Sequence, residues 1–315
     1  MLRLVARRLL ATIPVLFLVT VGVFLLIHLV PGDPVDAMMG ESQDPVAREA
    51  LRHDLGFDQP LYVQYATWLA HVAQGDFGRS VRTHQTVLED VSQRIRPSLE
   101  LAIYAMLIAM VVAVPLGILT ATHRNSPLDS FGTSFSLFGI CMPNFVLALL
   151  LIFIFGVSLH WLPIASYTDP FDDPVAGIKS LTLPAVTLGL ALAAVIARTL
   201  RSSLLEVLSE EYIKTARAKG LDSGTVILRH ALKNGLIPVV TVLGLQFGTL
   251  IGGAVITEYV FAIPGVGRLV VDSVFARDYP LVQGVVLLIC VGFIVSNLVV
   301  DILYGWLDPR IRSNV

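Results

Sequence analysis

Six apolar stretches divide the chain, at roughly 9–30, 98–121, 131–157, 181–200, 237–262 and 281–305. Each is close to the about 20 residues that a helix needs to cross a hydrocarbon core. Between the fourth and fifth lies a polar interruption at 201–236, whose centre, SEEYIKTARAKGLDSGTVILRHALKNG (209–235), predicts two short helices. The first carries a full set of boundary signals: Ser209 as N-cap, Glu210 and Glu211 in the first turn, Arg217 and Lys219 in the last, and Gly220 just beyond. A polar helix in that position is either a docking element for a soluble partner or a solvated connector. The segment 31–94 is also polar: PGDP at 31–34 predicts a sharp turn, and PLYVQYATWLAHVAQ at 60–74 an amphipathic helix on the membrane surface or capping the bundle. A short tail follows at 306–315.

Proline and glycine modify the spans. Pro14, Pro115, Pro143, Pro184, Pro238 and Pro264 each free a backbone carbonyl and predict kinked helices. Gly244, Gly248, Gly252 and Gly253 give the fifth span a small-residue face suited to close packing or to lining a pathway.

Of 315 residues 55% are apolar and 15% charged, against about a quarter charged in soluble domains. The class is therefore an all-α membrane protein of six transmembrane helices. Net charge is −2 with no basic run, which leaves nucleic acid without a surface to bind. Cys141 and Cys290 sit in apolar runs and read as small core residues rather than a disulfide or metal pair. Arg3, Arg7 and Arg8 precede the first span as in a signal peptide, but the apolar run is too long and lacks a small-x-small cleavage site, so it is expected to remain as an anchor. Lys and Arg gather on the side of the termini and of 201–236, which predicts that both termini and that loop are cytoplasmic and that 31–94 is extracytoplasmic.

The sequence has no GxxxxGK[ST] phosphate loop, no GxSxG elbow, no HExxH and no paired cysteine ligands. No catalytic residue, metal site or bound cofactor is expected. Ionisable groups in or at the edge of the spans are Arg198, Glu258 and Asp301, candidates for structural hydrogen bonding, for gating, or for a proton relay in an ion-coupled secondary transporter.

Several runs then fall in a recognisable order: LVPGDP (29–34), LGFDQPLYVQY (55–65), GDFGRS (75–80), EEYIKTARAKGL (210–221), RHALKNGLIPVV (229–240), EYVFAIPGVGRL (258–269), RDYPLVQG (277–284) and DILYGWLDPRIR (301–312). Together the chain resembles the dipeptide/oligopeptide (peptide/nickel) branch of ATP-binding cassette importer permeases, in its B-type first subunit. The resemblance implies a type I importer transmembrane domain at 95–305, behind an extra N-terminal span at 1–30 and the outer loop at 31–94. It implies a bacterial inner membrane, a second homologous permease, two cytoplasmic ATPases that use the ATP, and an extracytoplasmic solute-binding protein. The solute would be a dipeptide, oligopeptide, glutathione or nickel complex. In the wider superfamily the loop corresponding to 201–236 is a coupling helix of form EAAxxxG. Laid on this chain, Lys214, Thr215 and Ala216 take the EAA positions and Gly220 the glycine, so that Ala216 and Gly220 match while Lys214 and Thr215 depart. Glu211, Arg217 and Lys219 join them as the expected ATPase-coupling residues, with Ala216 and Ala218 allowing close approach to a partner groove.

Overall fold

Alanine and glycine at four-residue spacing let two long helices meet along much of their lengths. In a computed structural model, backbone is described for residues 2–29, 35, 39, 45–54 and 56–307, and side chains for these except 2–9, 26–29, 51, 54, 251–253 and 301–307. The turn expected at 31–34 and the tail from 308 lie outside the described residues. Helix α1 spans Leu2–Leu29, α2 Pro45–Asp54, α3 Leu61–Ala73, α4 Val87–Thr122, α5 Pro127–Cys141 and α6 Asn144–Ser158. They are followed by α7 Pro174–Leu208, α8 Glu211–Ala218, α9 Ser223–Gly235, α10 Ile237–Gly253, α11 Val255–Val260, α12 Val266–Phe275 and α13 Tyr279–Leu307.

The most extensive pairing is α4 with α7. Ala105, Ala109, Ala113 and Gly117 form a buried stripe on α4, one turn apart, and Gly189, Ala193 and Ala197 do the same on α7. A Cβ at Gly189 would lie 2.8 Å from the Ala105 carbonyl oxygen, and one at Gly117 would lie 2.9 Å from Leu200 Cδ2. Since residue 105 meets 189 and residue 117 meets 200, the two helices run parallel. In lipid, where apolar surface has no water to escape, such backbone approach is the available source of packing energy. Large apolar side chains accordingly point outward: Leu107, Val111, Phe131, Phe138, Leu149 and Phe153 are exposed.

At 36 and 35 residues, α4 and α7 are about 54 and 52 Å long at 1.5 Å per residue. Both outrun a hydrocarbon core of about 30 Å, so their polar ends project beyond it. The start of α4 is fixed by a capping box: Thr86 Oγ1 accepts from the Glu89 N–H at 3.3 Å, and Glu89 Oε2 accepts from the Thr86 N–H at 2.9 Å. Arg96, near that end, donates to Glu100 at 3.0 Å and to Asp169 at 2.8 Å, and lies over the Phe171 ring at 4.6 Å. It thereby fastens the connector before α7 to α4.

Each of the six expected spans has a counterpart, though the boundaries differ. α4, α7 and Tyr279–Val300 of α13 are long and apolar enough to cross a membrane, as are two bent pairs, α5 with α6 and α9 with α10. Leu10–Leu25 of α1 is a shorter apolar segment. The span expected at 131–157 is no simple kinked rod: α5 and α6 meet at 104° across Met142 and Pro143, where Pro143 cannot donate to the ladder. Pro264 belongs to no helix and sits in the turn between α11 and α12. Cys141 is exposed and not part of the core; both cysteines are free.

The outer segment is built against the last helix. Gly78, at φ +93°, turns the chain where GDFGRS meets RDYPLVQG. Ser80 Oγ donates to Asp278 Oδ2 at 2.5 Å, and Gln283 Nε2 donates to the Val23 and Phe24 carbonyls of α1 at 3.3 and 3.2 Å. The expected helix at 60–74 is present as α3, whose Tyr65 hydroxyl bonds Thr20 at 2.8 Å and whose ring packs edge-on against Phe24. It lies against α1.

Substituting Gly189 by Ala is expected to lower stability by about 1–3 kcal/mol, since the new methyl meets a carbonyl that cannot swing aside. Gly292→Ala, where nothing lies within 4 Å, should be neutral. Thermal melts of the two variants in detergent check this.

Candidate functional site

Of the 201–236 stretch, residues 201–208 continue α7, and 211–235 fold as a helical hairpin anchored on the bundle. Its first helix is α8, preceded by Glu210 in extended conformation, with no side-chain cap bond. Ser209 does not cap α8; it is the C-cap of α7, its hydroxyl donating to the Glu206 carbonyl at 2.6 Å. Because α7 continues to Leu208, the expected N-cap is consumed in ending the preceding helix. Gly220 takes φ +81°, its N–H reaching the Arg217 carbonyl at 2.9 Å while the Leu221 N–H reaches Ala216 at 3.4 Å. These are the two bonds of a Schellman ending.

Asp222 then starts α9, accepting from the Thr225 N–H at 2.9 Å and from the Thr225 hydroxyl at 2.6 Å. These bonds hold its carboxyl below the usual carboxylate range. Asn234 Nδ2 donates to the Tyr212 hydroxyl at 2.7 Å and ties α9 back to α8.

One face of α8 is inward. Ile213 is fully buried and Ala216 nearly so, in the same cluster as Leu200, Leu204, Val226 and Ala231. Ala216 is therefore an anchor on the chain's own core and does not offer itself to a partner. Glu211, Lys214, Thr215, Arg217, Ala218 and Lys219 are exposed. Lys214 pairs with Glu211 at 2.7 Å, and the Thr215 hydroxyl returns to the Glu211 carbonyl at 3.0 Å. Arg217, Ala218 and Lys219 are left on the open face.

The last turns of α7, which lead into the hairpin, are held by a fork that the sequence reading missed. Arg201 Nε and Nη2 donate to the two oxygens of buried Asp129 at 2.7 and 2.9 Å, and the Asn125 N–H adds a third bond at 2.9 Å. Asp129 is in the first turn of α5, after the N-cap Ser126. The signal available was a carboxylate at a helix start, just past Ser-Pro.

Glu258 is fully buried and satisfied. Ser98 Oγ donates to its Oε1 at 2.6 Å and accepts from the Val266 N–H at 2.9 Å, and the Arg268 N–H donates to Oε2 at 3.0 Å. The carboxylate thus closes the N-terminus of α12, a favourable place for negative charge. A Cβ at Gly265 would collide with this carboxyl group, and one at Gly267 would come within 3.0 Å of Oε2, which accounts for the glycines in IPGVG. Asp301 lies on the backbone of α13, its side chain outside the described residues.

A cleft of mixed polar and apolar lining runs down one face of α7. Its upper part, about 300 Å³, is lined by Met142 and Asn144 at the α5–α6 break, Leu188 and Leu192 of α7, and Gln246 and Thr249 of α10. Its lower part, about 510 Å³, holds Arg198, Thr199, Ser202, Ser203, Glu206 and Pro238. Both parts share Ile140 and Val195, so they are adjacent. Gly244 and Gly248 do not reach this cleft: they pack against Val300 and Phe293 of α13. Among the described residues, no three His, Cys, Asp or Glu side chains gather as a metal site.

A broken helix thus faces a cleft of mixed polarity, with a polar hairpin rooted on the bundle at one end. Residues 113–313 match the family model described as binding-protein-dependent transport system inner membrane component, and residues 1–102 match its N-terminal companion. The chain belongs to this permease family. It is 46% identical over 312 residues to the glutathione transport system permease protein GsiC of Salmonella paratyphi A, covering 99% of each chain. It is 45% identical, with the same coverage, to GsiC of Escherichia coli strain K12. Among solved structures, it resembles a chain of the MetNI methionine ABC transporter in inward-facing conformation, with TM-score 0.57 and 18% identity over 70% of this chain and 96% of that one. A chain of an amino acid ABC transporter with histidines gives TM-score 0.51 at 15% identity, over 71% and 94%. Those two likenesses show the fold. The permease is thus an ATP-binding cassette importer subunit of the peptide/nickel branch, the architecture the motifs had implied.

Replacing Glu258 by Ala would strand the Arg268 N–H and the Ser98 hydroxyl in a dry site, at a cost of about 3–5 kcal/mol. Glu258→Gln keeps the shape and an acceptor and should cost less. The expected signature is faster amide hydrogen exchange at the start of α12 in the alanine variant, with transport retained in the glutamine variant; loss of transport in the latter with unchanged stability would instead indicate a proton relay.

Proposed function

We propose that this permease carries a peptide-like solute across a bacterial inner membrane, with glutathione, itself a tripeptide, as the first solute to test. The observation that carries the reading is the near-half identity with glutathione permeases along essentially the whole chain. Dipeptides and oligopeptides remain the broader class, and nickel complexes the outlying one. In this reading both termini and the α8–α9 hairpin are cytoplasmic, and a second homologous permease closes the open side of the cleft. Two cytoplasmic ATPases each grip one hairpin, and a binding protein delivers the solute to the opposite face. The sequence has no phosphate loop, so the permease transmits work and makes or breaks no covalent bond.

In this reading, burial decides which side chains are free to meet the ATPase. Ala216 and Ile213 root α8 on its own bundle, which leaves Arg217, Ala218 and Lys219, with the Glu211–Lys214 pair beside them, as the docking face. Closure of the ATPases would drag the hairpin. Because α7, which leads into the hairpin, is bonded to α5 through Asp129 and Arg201, the movement would enter the bundle at the helix that breaks beside the cleft. Alternating access then follows as a shift between two packed arrangements.

In the complete transporter, Arg217→Glu and Ala218→Trp are expected to lower solute-stimulated ATP hydrolysis about tenfold or more, as loss of a central interface contact does, with the permease still folded. Ala216→Glu should instead reduce the yield of folded permease, because it forces a charge into the core beneath α8. Undiminished coupling in both surface variants would overturn the docking assignment.

A further inference from the structure

Arg198 and Arg201 lie three residues apart near the end of α7, and their surroundings differ in kind. Arg201 is satisfied by both oxygens of Asp129. Arg198 is exposed to the lower cleft, and no described carboxylate forms an ion pair with it. Around it are the hydroxyls of Thr199, Ser202 and Ser203, of which the two serines donate to no described protein acceptor. A guanidinium near the end of an apolar span is costly unless it meets water or an anion. Here it sits in a cleft adjoining the upper cavity, which Asn144 of the α5–α6 break lines together with Gln246 and Thr249. Irregular backbone at that depth is tolerated where it lines a water-filled passage.

We propose that Arg198 is a solute-binding residue of the transport cleft, taking a carboxylate of the passing solute on its guanidinium fork with Ser202 or Ser203 as a second donor. This rests on the reading of the chain as a carrier of peptide-like solutes. A guanidinium presents parallel N–H donors that match a carboxylate bidentately, and the serine hydroxyls flank it on the next turn. Glu206, about 12 Å further along the helix at 1.5 Å per residue, lines the same cleft and discourages the anion from settling beyond Arg198. The anion is thereby held weakly at one place and released toward the hairpin end.

The test uses the complete transporter with its binding protein in proteoliposomes. Uptake of radiolabelled glutathione and of alanyl-alanine is measured, each as free acid and with its carboxylates amidated. The binding protein is the same throughout, so its own preference cancels when a variant is compared with wild type. Arg198→Gln should lower the acid-to-amide uptake ratio about tenfold, the contribution of one charge-assisted hydrogen bond. Arg198→Lys, which keeps the charge without the fork, should fall between. An unchanged ratio in Arg198→Gln overturns the assignment. So does loss of the second permease on purification of Arg198→Gln with its return in Arg198→Lys, which would place Arg198 in a subunit ion pair. If the wild-type transporter takes up neither solute in either form, the solute-class reading itself falls and the carboxylate assignment with it.

Discussion

The close parallel contact of α4 and α7 is the constraint on which the other elements depend. Lipid offers apolar helices no reason to leave it, so association must come from backbone approach and from polar bonds that have no better partner. The stripe Ala105, Ala109, Ala113 and Gly117 supplies the first, against Gly189 and Ala197. The polar clamps supply the second, one toward each end of the pair. At one end Ser98, Glu258 and α12 are joined; at the other, Asp129 and Arg201. Between these ends the outer faces are left to lipid, and the remaining polar face of α7 becomes a cleft.

Much of this was legible from residue order. Six apolar runs, the hairpin with Gly220 at its turn, and the helix at 60–74 follow from periodicity and capping chemistry, and all are present. What periodicity could not convey is which polar group meets which. Glu258 reads in sequence as an isolated charge in an apolar run; only the turn at 262–265 folds it back over α12. Ser209 reads as a helix start, yet the strong helix-forming run before it lets α7 continue and take that serine as its end. Ala216 has the size of a contact residue, but the direction of its Cβ is set by Ile213 one turn earlier, which must be buried. The break at Met142 and Pro143 was marked by the proline, while its 104° angle depends on what α6 packs against.

The cleft was the least legible part. Asn144, Gln246 and Thr249 are far apart in sequence and each is unremarkable alone. They share a surface because α10 runs antiparallel to α7 and the α5–α6 corner packs on α7 beside it. Small residues fix that convergence: a Cβ at Gly139 would lie 2.8 Å from Ala194, so α5 approaches α7 just before it turns away.

The fork between Asp129 and Arg201 has a mechanical consequence. It joins α7, a few turns before the hairpin, to the first turn of α5 through two hydrogen bonds on one carboxylate. α5 is short and ends in a corner instead of continuing across the bundle. In the proposed cycle, a torque applied at the hairpin would pass through α7 and this fork into α5 and reach the corner, where proline has removed a ladder bond. The point that would receive force and the point that would yield to it are the two ends of one fifteen-residue helix.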